Sequence, residues 1–487
     1  MANTEPVPDN GAPTSKDVLG RSRIFTPEVI NDIHIKAELG RYRMRGFSIF
    51  KPMPHWDELV FLPGTLTRFV IEGYREKCVT KTVLGARFAK NPIELDIPIY
   101  ITGMSFGALS LEAKMALAKG ASMAGTATCS GEGGMIPPER DHSIKWYYQC
   151  IQSRYGFNPH HLMLADACEF FIGQGCKVGL GGHLMGQKVT EQVAEMRSLP
   201  AGIDQRSPAR HPDWLGPDDL SLKIQEIREA TDYRIPIQLK LGASRVYDDV
   251  RMAAKCGPDT IYLDGGEGGT GAGPHIATEE TGIPLMAAIP EARRALEDVG
   301  LADEIDLVVA GGIRNGADVA KAIALGAKAV AIGHSAMMAL NCNKEIPGVT
   351  DYEGTVGVPA GLCYHCHSGR CPVGVATQDP ELRKRLVVEE ASERVYNFLT
   401  AMTMELQMLA RACGKTNVHS LEPEDLAALT VPASAMARVP LAGTDYTVGV
   451  TEHEILSEVK RLVAMKDEEA LQLHHHENVE HLRSVER

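Results

Sequence analysis

Several features that would place this chain in a familiar class are missing from its sequence. In its 487 residues, no stretch approaches the about 18 uncharged apolar residues that a membrane-spanning helix needs, so we expect no membrane span. The first residues are polar and rich in proline, unlike the apolar segment of a secretory signal. Three of the eleven cysteines lie close together and the others are scattered, which excludes a disulfide framework. These absences predict a cytoplasmic protein.

Positive charge is also scarce. Lys and Arg total 50 against 63 Asp and Glu, which gives a formal net charge of −13. Nucleic acids and anionic membranes are bound by clustered basic residues, so neither is an expected partner. The hydrophobic fraction of 44% is ordinary for a globular protein and sufficient for a large core.

From residue 97 onward, short β-branched segments alternate with alanine-rich segments of helical character. Such alternation predicts a parallel sheet with both faces covered. Nearly every predicted strand ends in a glycine-rich loop, and the single dominant G-x-G-x-x-G turn of a doubly wound sheet is absent. We therefore predict an α/β fold, a (β/α)8 TIM barrel. The predicted strands are 97–101, 235–241, 260–264, 305–310 and 329–332, and the predicted helices are 110–124, 245–256 and 284–298.

Two consecutive glycine loops late in the predicted barrel are suited to a phosphate. Gly311, Gly312 and Arg314 follow one strand, and Gly333 and His334 follow the next. The loops after the seventh and eighth strands of a barrel commonly bind phosphate through backbone N–H groups. Turn glycines of an ordinary βα repeat are the alternative, but the paired loops favour a phosphorylated cofactor such as a flavin nucleotide.

Charged side chains are expected at the same rim of the barrel. Lys240 ends a strand, where a cation can stabilise a reduced flavin, although a lysine there can equally be solvated. Glu132 lies in a glycine loop after the second strand, and Gly268 and Gly269 lie in a similar loop after the sixth. Glu132 could orient an amine or relay a proton, the alternative being an exposed loop acid.

Cys363, Cys366 and Cys371 span nine residues, with proline directly after the last. Close thiolates followed by proline are a usual way to bind an iron–sulfur cluster. His365 and His367 lie between them, so a zinc site of three cysteines and one histidine is the alternative. An iron–sulfur cluster beside a flavin predicts redox chemistry fed by electrons from elsewhere.

Taken together, these motifs resemble the FMN-binding synthase domain of glutamate synthase. They occur in the order of that family over roughly residues 75–415. The matching segments are 103–110, 131–134, 174–179, 264–272, 310–319 and 371–378. The resemblance implies a barrel that binds FMN and a 3Fe–4S cluster. In that family, reduced flavin delivers hydride to 2-iminoglutarate, which forms from 2-oxoglutarate and ammonia.

The resemblance also implies roles for single residues. The cysteines would ligate the cluster, Glu132 would face the amine and Lys240 would contact the flavin. The predicted catalytic set is Glu132, Lys177 and Lys240. The predicted set for binding the dicarboxylate substrate is Gln174, Lys177, Arg197 and Ser207. The predicted cofactor-binding set is Met104, Ser105, Gly131, Lys240, Gly268, Gly269, Gly311, Gly312, Arg314, Gly333 and His334.

Two parts of full-length glutamate synthases are not found here. Position 2 is alanine rather than the nucleophilic cysteine of a glutaminase, and no glycine-repeat segment follows the barrel. The chain most resembles the three-subunit branch, N-methylglutamate synthase (methylamine–glutamate N-methyltransferase), including at 72–78, 421–426 and 439–444. That implies a hetero-oligomer with a glutaminase-like amidotransferase subunit and a glycine-repeat β-helix subunit. Its product would be N-methylglutamate, made from methylamine and glutamate.

Other functions stay open at this point. A glutamate synthase subunit that uses ammonia or glutamine nitrogen is the main alternative, because a pocket discriminates one methyl group by only about 1–3 kcal/mol. A catalytically idle scaffold would not need the phosphate loops, the lysines and the clustered cysteines. A barrel similar to IMP dehydrogenase would carry one catalytic cysteine rather than three.

Composition divides the chain into five predicted regions. A long amphipathic helix is expected over 380–413, with Gly414 as its C-cap. His474, His475 and His476 are expected in a solvated tail rather than a metal site. The regions are a disordered tail (1–18), an arm or cap (19–95), the FMN-binding barrel (96–345), the iron–sulfur loop with the long helix (346–420) and a C-terminal extension (421–487).

Overall fold

The computed structural model describes residues 22–73, 75–346 and 352–449. The expected N-terminal tail and the three histidines near the C-terminus lie outside these residues. The helices are α1 (Pro27–Leu39), α2 (Leu111–Met123), α3 (Pro137–His142), α4 (Pro159–Leu164), α5 (Glu191–Arg197), α6 (Pro217–Ala230), α7 (Val246–Lys255), α8 (His275–Glu280), α9 (Leu285–Asp298), α10 (Gly316–Ala324), α11 (His334–Ala339), α12 (Tyr352–Val356), α13 (Pro380–Arg383), α14 (Val388–Ala412) and α15 (Val431–Ala437). The strands are β1 (Met44–Phe47), β2 (Leu59–Phe61), β3 (Thr82–Leu84), β4 (Ile93–Leu95), β5 (Ile99–Ile101), β6 (Thr128–Cys129), β7 (Trp146–Cys150), β8 (Ala167–Phe171), β9 (His183–Leu184), β10 (Gln205–Arg206), β11 (Ile237–Gly242), β12 (Thr260–Asp264), β13 (Thr270–Pro274), β14 (Asp306–Ala310), β15 (Ala329–Ile332) and β16 (Leu426–Ala428).

Eight parallel strands form the barrel, and their order in space follows the chain: β5, β6, β7, β8, β11, β12, β14 and β15. Strand β15 pairs in parallel with β5. The remaining gap is bridged where the Ile101 N–H donates to the Ala127 carbonyl at 3.0 Å, directly before β6. The sheet is therefore a nearly closed (β/α)8 barrel, and the predicted fold is confirmed.

The predicted strands match the observed ones closely because the β-branched segments are buried on both faces of the sheet. Those at 260–264 and 329–332 coincide with β12 and β15, and the other three differ by one or two residues at one or both ends. The hairpin of β3 and β4 closes the end of the barrel where the strands begin, and Leu84 and Leu95 pack there under the interior tyrosines. The carboxyl ends of the strands are left as the open rim.

The barrel interior carries polar side chains beneath this rim. The fully buried carboxylate of Glu169 accepts hydrogen bonds from the amide groups of Gln149 and Gln238, both at 2.6 Å. A buried carboxyl group is costly unless it is hydrogen-bonded, and these two amides supply the hydrogen bonds. The barrel interior thus contains a hydrogen-bonded polar cluster in addition to aliphatic side chains.

The helix that completes the outer shell comes from an unexpected place in the chain. Helix α11, directly after β15, has only six residues, and α14 packs between α2 and α10 instead. Glycines allow the close approach: a Cβ at Gly120 would lie 2.6 Å from the Ser392 carbonyl oxygen, and one at Gly316 would lie 2.7 Å from the Leu406 nitrogen. Residues beyond the cysteine segment therefore occupy the eighth helix position of the barrel.

The single helix predicted over 380–413 is wrong, because α13 and α14 are separate helices. Leu386 is buried between them and Val387 has extended backbone, with φ of −84° and ψ of 116°. The chain turns there to bury the leucine, which an amphipathic pattern does not reveal. At the other end, Gly414 ends α14 as predicted: its φ is 76°, its N–H donates to Arg411 and the next N–H donates to Ala410.

The segment before the barrel runs across the open rim. Strand β1 pairs antiparallel with β13, which follows the sixth barrel strand. The Ser48 hydroxyl bonds the Glu267 carbonyl, and His55 Nε2 lies 3.1 Å from the Gly312 carbonyl. This arm therefore covers the glycine loops. Within the described ranges, no helix combines the length and apolarity needed to cross a membrane.

Candidate functional site

A cavity of about 870 Å³ lies between the rim loops and the arm. This volume is within the range of ligand and cofactor sites, about 300–1,000 Å³. The predicted residues that line it are Met104, Ser105, Glu132, Gln174, Lys177, Lys240, Gly268, Gly269, Gly311, Gly312, Arg314, Gly333, His334 and Cys366. Those outside the lining are Gly131, Arg197, Ser207, Cys363 and Cys371. Most of the predicted site thus converges on one space.

The two glycine loops form one end of the cavity. Gly311 and Gly312 have φ of 116° and 67°, in the left-handed region that favours glycine. His334 begins the short helix after the eighth strand; its Nε2 is buried and has no hydrogen-bond partner among the described residues. Burial lowers the pKa of His334 to about 4, so the ring is neutral. Two close-approach loops and an unpartnered nitrogen fit a phosphorylated cofactor.

Arg314 lies beside these loops but is held by carboxylates. Its guanidinium donates to Asp57 at 2.5 Å and to Asp318 at 2.9 Å. Both partners raise the pKa of Arg314 above its usual value. The main observed effect of Arg314 is to tie the arm to the phosphate loops.

Lys240 faces the middle of the cavity. Its ammonium lies 3.2 Å from the Thr102 hydroxyl, 3.9 Å from the Asp264 carboxylate and 4.3 Å from the centroid of the Tyr262 ring. Burial works to lower the pKa of Lys240, but Tyr262, Asp264 and Glu169 together raise it above the usual lysine value. The side chain therefore presents a fixed positive charge, as stabilising a reduced flavin requires.

Glu132 and Lys177 are two further charged side chains in the cavity lining. The Tyr155 hydroxyl donates to Glu132 Oε1 at 2.8 Å, and the Ser207 hydroxyl donates to the same oxygen. Lys177 is buried and its ammonium donates to the Ala272 carbonyl at 2.9 Å. Burial lowers the pKa of Lys177. A buried ammonium with one carbonyl partner has donors left for an anionic ligand.

Two predicted residues act behind the lining rather than in it. Ser207 is linked to the cavity lining through Glu132, to which its hydroxyl donates, and through Gly182, whose carbonyl accepts its N–H at 3.0 Å. Gly131 has φ of 69°, and a Cβ there would lie 2.6 Å from the Met104 carbonyl carbon. Both residues therefore set the position of groups that do face the cavity.

Arg197 is not at the cavity, and its position does not support the predicted contact with a substrate carboxylate. The side chain is completely buried, and its Nη2 donates to the backbone carbonyls of Phe106 at 3.0 Å and Glu132 at 3.2 Å. Its Nη1 lies 3.3 Å from the Tyr155 hydroxyl. The guanidinium thus fixes the loop that carries Glu132 through Nη2, while its buried Nε has no hydrogen-bond partner among the described residues.

Sequence reasoning missed Glu267, a buried carboxyl on the cavity wall. Its oxygens accept from the Leu285 N–H at 3.0 and 3.1 Å. Burial raises the pKa of Glu267 to about 7, so it can hold or release a proton near neutral pH. The sequence signal that could have identified Glu267 as a site residue was its position directly before Gly268 and Gly269, in the same loop.

Substituting Glu267 by glutamine is expected to change how stability depends on pH. Below about pH 4.5, the carboxyl is protonated in both the folded and unfolded states. Between 4.5 and 7 the unfolded chain loses this proton while the folded chain keeps it, so the free energy of unfolding falls as pH rises. The loss approaches about 3 kcal/mol by pH 8. Urea unfolding of cofactor-free Glu267→Gln and wild-type protein at pH 5 and 8 measures it.

The variant should lose less stability than wild type between these pH values. Glu139 is buried and has a raised pKa as well, so the difference between the two proteins, rather than the wild-type slope, isolates Glu267. Glu280→Gln, which changes an exposed acid nearby, is the matched control. Parallel pH dependence in all three proteins would contradict the raised pKa.

The cysteine segment lies against the cavity at Cys366. The pKa of Cys366 is raised to about 12 by burial and then by the neighbouring thiol of Cys371, while Lys188 acts in the opposite direction. Burial raises the pKa of Cys342, which the sequence did not single out, and the three clustered thiols raise this pKa further. Among the described residues, no three or more His, Cys, Asp or Glu side chains form a group that could hold a metal ion. The donor set nevertheless fits an iron–sulfur cluster, because the cysteines of such a cluster bind different iron atoms. Three thiols lie in one short segment, and the ammonium of Lys188 contacts that segment at the Cys366 carbonyl.

Comparison with known proteins gives one family. The model described as the conserved region in glutamate synthase matches residues 68–416. A glutamate synthase large subunit-like protein of Rhizobium meliloti is 52% identical over 88% of this chain and 97% of its own length. An archaeal-type glutamate synthase (NADPH) of Thermotoga neapolitana is 36% identical over 82% of this chain and 79% of its own.

Two further matches are more limited. The glutamate synthase (NADPH) large chain of Bacillus subtilis is 30% identical over 81% of this chain but only 24% of its own length. A mandelate oxidase structure is 17% identical, with a TM-score of 0.45 over 75% of this chain and 87% of its own. That structural similarity is too low to support an argument about the site.

Proposed function

Because the chain belongs to the glutamate synthase family, we propose that it is the synthase subunit that reductively aminates 2-oxoglutarate, with FMN and an iron–sulfur cluster as cofactors. The reaction replaces the keto oxygen, lost as water, by nitrogen, and adds one hydride and one proton to the resulting imine. One observation carries the proposal: a single cavity brings together the phosphate-type loops, two buried ammonium groups, a hydrogen-bonded carboxylate and a clustered cysteine.

The cofactor end of the proposed site is the part with the glycine loops. FMN supplies hydride transfer when it is bound. Gly311, Gly312 and Gly333 would let backbone N–H groups approach its phosphate, and His334 would offer the nitrogen that lacks a protein partner within the described residues. The ammonium of Lys240 would lie at the ring system, where it favours added negative charge.

The substrate end contains the groups that suit a dicarboxylate and an amine. Lys177 has ammonium donors available for a carboxylate, and Gln174 lies beside it on the cavity wall. Glu132 is oriented by Tyr155 and Ser207, so that its second oxygen can orient the amine or hold its proton. Glu267, with its raised pKa, is a second proton-holding group in the cavity lining and lies next to Gly312.

The cysteine segment supports the proposed electron supply. An iron–sulfur cluster supplies one-electron transfer when it is bound. Cys366 is the one of the three predicted ligands that lines the cavity, so a cluster held there would be adjacent to the cavity. We propose Cys363, Cys366 and Cys371 as its ligands.

Ammonia is the amine that the comparisons favour. The similar proteins named above are glutamate synthases or glutamate synthase-like, and formation of N-methylglutamate gains no support from them. We retain the proposal of separate glutaminase-like and glycine-repeat subunits, since the Rhizobium meliloti relative is named for a large subunit. Methylamine stays the competing amine to be tested.

A competition experiment tests this proposal. The chain, co-expressed with its neighbouring genes and loaded with flavin and iron, is reduced chemically and given 2-oxoglutarate with equimolar isotopically labelled ammonia and methylamine. We expect labelled glutamate as the main product by mass spectrometry. N-methylglutamate as the main product would favour the alternative, and neither product from fully loaded protein would overturn the proposed reaction.

A further inference from the structure

Lys188 is a buried cation without an acidic partner among the described residues. It lies in the turn after β9 and is 1% exposed. Its ammonium donates to the Ala108 carbonyl at 2.7 Å and the Cys366 carbonyl at 2.9 Å. Across the described part of the chain, no carboxylate forms an ion pair with it. Burying a charge is costly without a counter-charge. Since no carboxylate among the described residues provides one, Lys188 needs a different anion nearby.

The groups that face Lys188 indicate what that anion is. The Lys188 ammonium donates to the carbonyl of Cys366 itself, and its side-chain stem lies against Gly369, two residues before Cys371. The thiols become anionic only when they are deprotonated, as metal ligation requires. The missing counter-charge is thus the pair of thiolates together with whatever they ligate.

The surrounding contacts fix this geometry. The Gln187 side chain donates to the His367 carbonyl at 3.3 Å, and a Cβ at Gly369 would lie 3.2 Å from Lys188 Cγ. Ala108, the other acceptor of Lys188, lines the cavity. Lys188 therefore bridges the cysteine segment and the loop after the first barrel strand.

We propose that Lys188 is a positioning residue that supplies the positive charge compensating the Cys366 and Cys371 thiolates and thereby raises the reduction potential of the cluster. The inference rests on the proposed function only in requiring that the cluster exists. A nearby cation stabilises the more negative, reduced state of the cluster. At an effective dielectric constant near 20, a unit charge within about 10 Å shifts such an equilibrium at least tenfold.

The test compares Lys188→Met with Lys188→Gln, Lys188→Arg and the uncharged anchor variant Gln187→Ala. Each full-length protein is purified without oxygen, its iron is counted, and its cluster is titrated potentiometrically with detection by electron paramagnetic resonance. For Lys188→Met and Lys188→Gln we expect at least a tenfold change in the ratio of reduced to oxidised cluster at a given potential, about 59 mV toward more negative values. Lys188→Arg and Gln187→Ala should stay near wild type.

The other outcomes also decide the question. Loss of iron from the two neutral variants, with retention in Lys188→Arg and Gln187→Ala, supports the inference. A wild-type potential in Lys188→Gln, or an equal effect in Gln187→Ala, overturns it because hydrogen bonding or loop anchoring would then account for the lysine. Loss of iron from Lys188→Arg as well overturns it, since charge would not suffice. An iron-free wild-type protein that still forms glutamate overturns this inference and leaves the proposed reaction standing.

Discussion

Adding one methyl group at Gly175 is expected to lower kcat/KM for 2-oxoglutarate by at least about 100-fold, the scale of loss that a 1 Å misplacement of reacting groups can cause. A Cβ at this position would lie well under 3.0 Å from the Gly265 carbonyl oxygen and 2.6 Å from the Asp264 carbonyl oxygen. These are backbone atoms of the loop after β12, so no side chain can rotate away. The loop that carries Lys177 and the loop that carries Glu267 must separate.

A control for Gly175→Ala lies two residues earlier in the same loop. A Cβ at Gly173 would meet only the Gly242 nitrogen, at 3.5 Å, which is an ordinary contact. Gly173→Ala should therefore keep activity within a few-fold of wild type, with the same melting temperature and flavin content. Steady-state kinetics and thermal melting of both variants are the measurements. Wild-type kcat/KM in Gly175→Ala would show that the two loops can separate without consequence.

Replacing Lys177 by methionine is expected to weaken use of the 2-oxo acid by about 100-fold while the flavin stays bound. Truncating one partner of a buried charged pair costs about 2–5 kcal/mol, and each 1.4 kcal/mol is about tenfold. The Lys177 ammonium has one acceptor among the described residues, the Ala272 carbonyl. The measurements are the KM for 2-oxoglutarate, kcat and the flavin absorbance per chain.

The control for Lys177→Met is Lys119→Met, on α2, where the lysine is 38% exposed and its ammonium lies 3.7 Å from the exposed carboxylate of Glu389. It should leave the kinetics and the flavin content unchanged. If Lys177→Met instead lost its flavin and kept its affinity for the acid, Lys177 would belong to the cofactor end of the cavity and the assignment of the two ends would be reversed.

The barrel and its glycine loops could be predicted because their signals are local in sequence. A strand, the glycine after it and the next helix lie within about twenty residues, so their order reports the fold directly. Gly311, Gly312 and Gly333 were found for this reason. The prediction of one helix over 380–413 failed because it also relied on local sequence alone. Leu386 and Val387 continue the apolar pattern of the helix, but the tertiary structure interrupts the helix there.

The rest of the site depends on contacts between distant parts of the chain. Lys188 and Cys366 are 178 residues apart in sequence, and Asp57 and Arg314 are 257 apart. Nothing in the sequence tells whether an arginine such as Arg197 faces a ligand or a carbonyl group of its own backbone. Glu267 was passed over because its chemistry comes from burial, which a glycine-rich loop does not suggest.

The use of α14 as the eighth outer helix has a consequence for synthesis on the ribosome. All eight strands have been translated before Val388 appears, but the groove between α2 and α10, where Gly120 and Gly316 contact α14, stays uncovered until α14 follows. The cysteine segment is translated within that interval. A nascent chain paused there would expose apolar surface that is prone to aggregation.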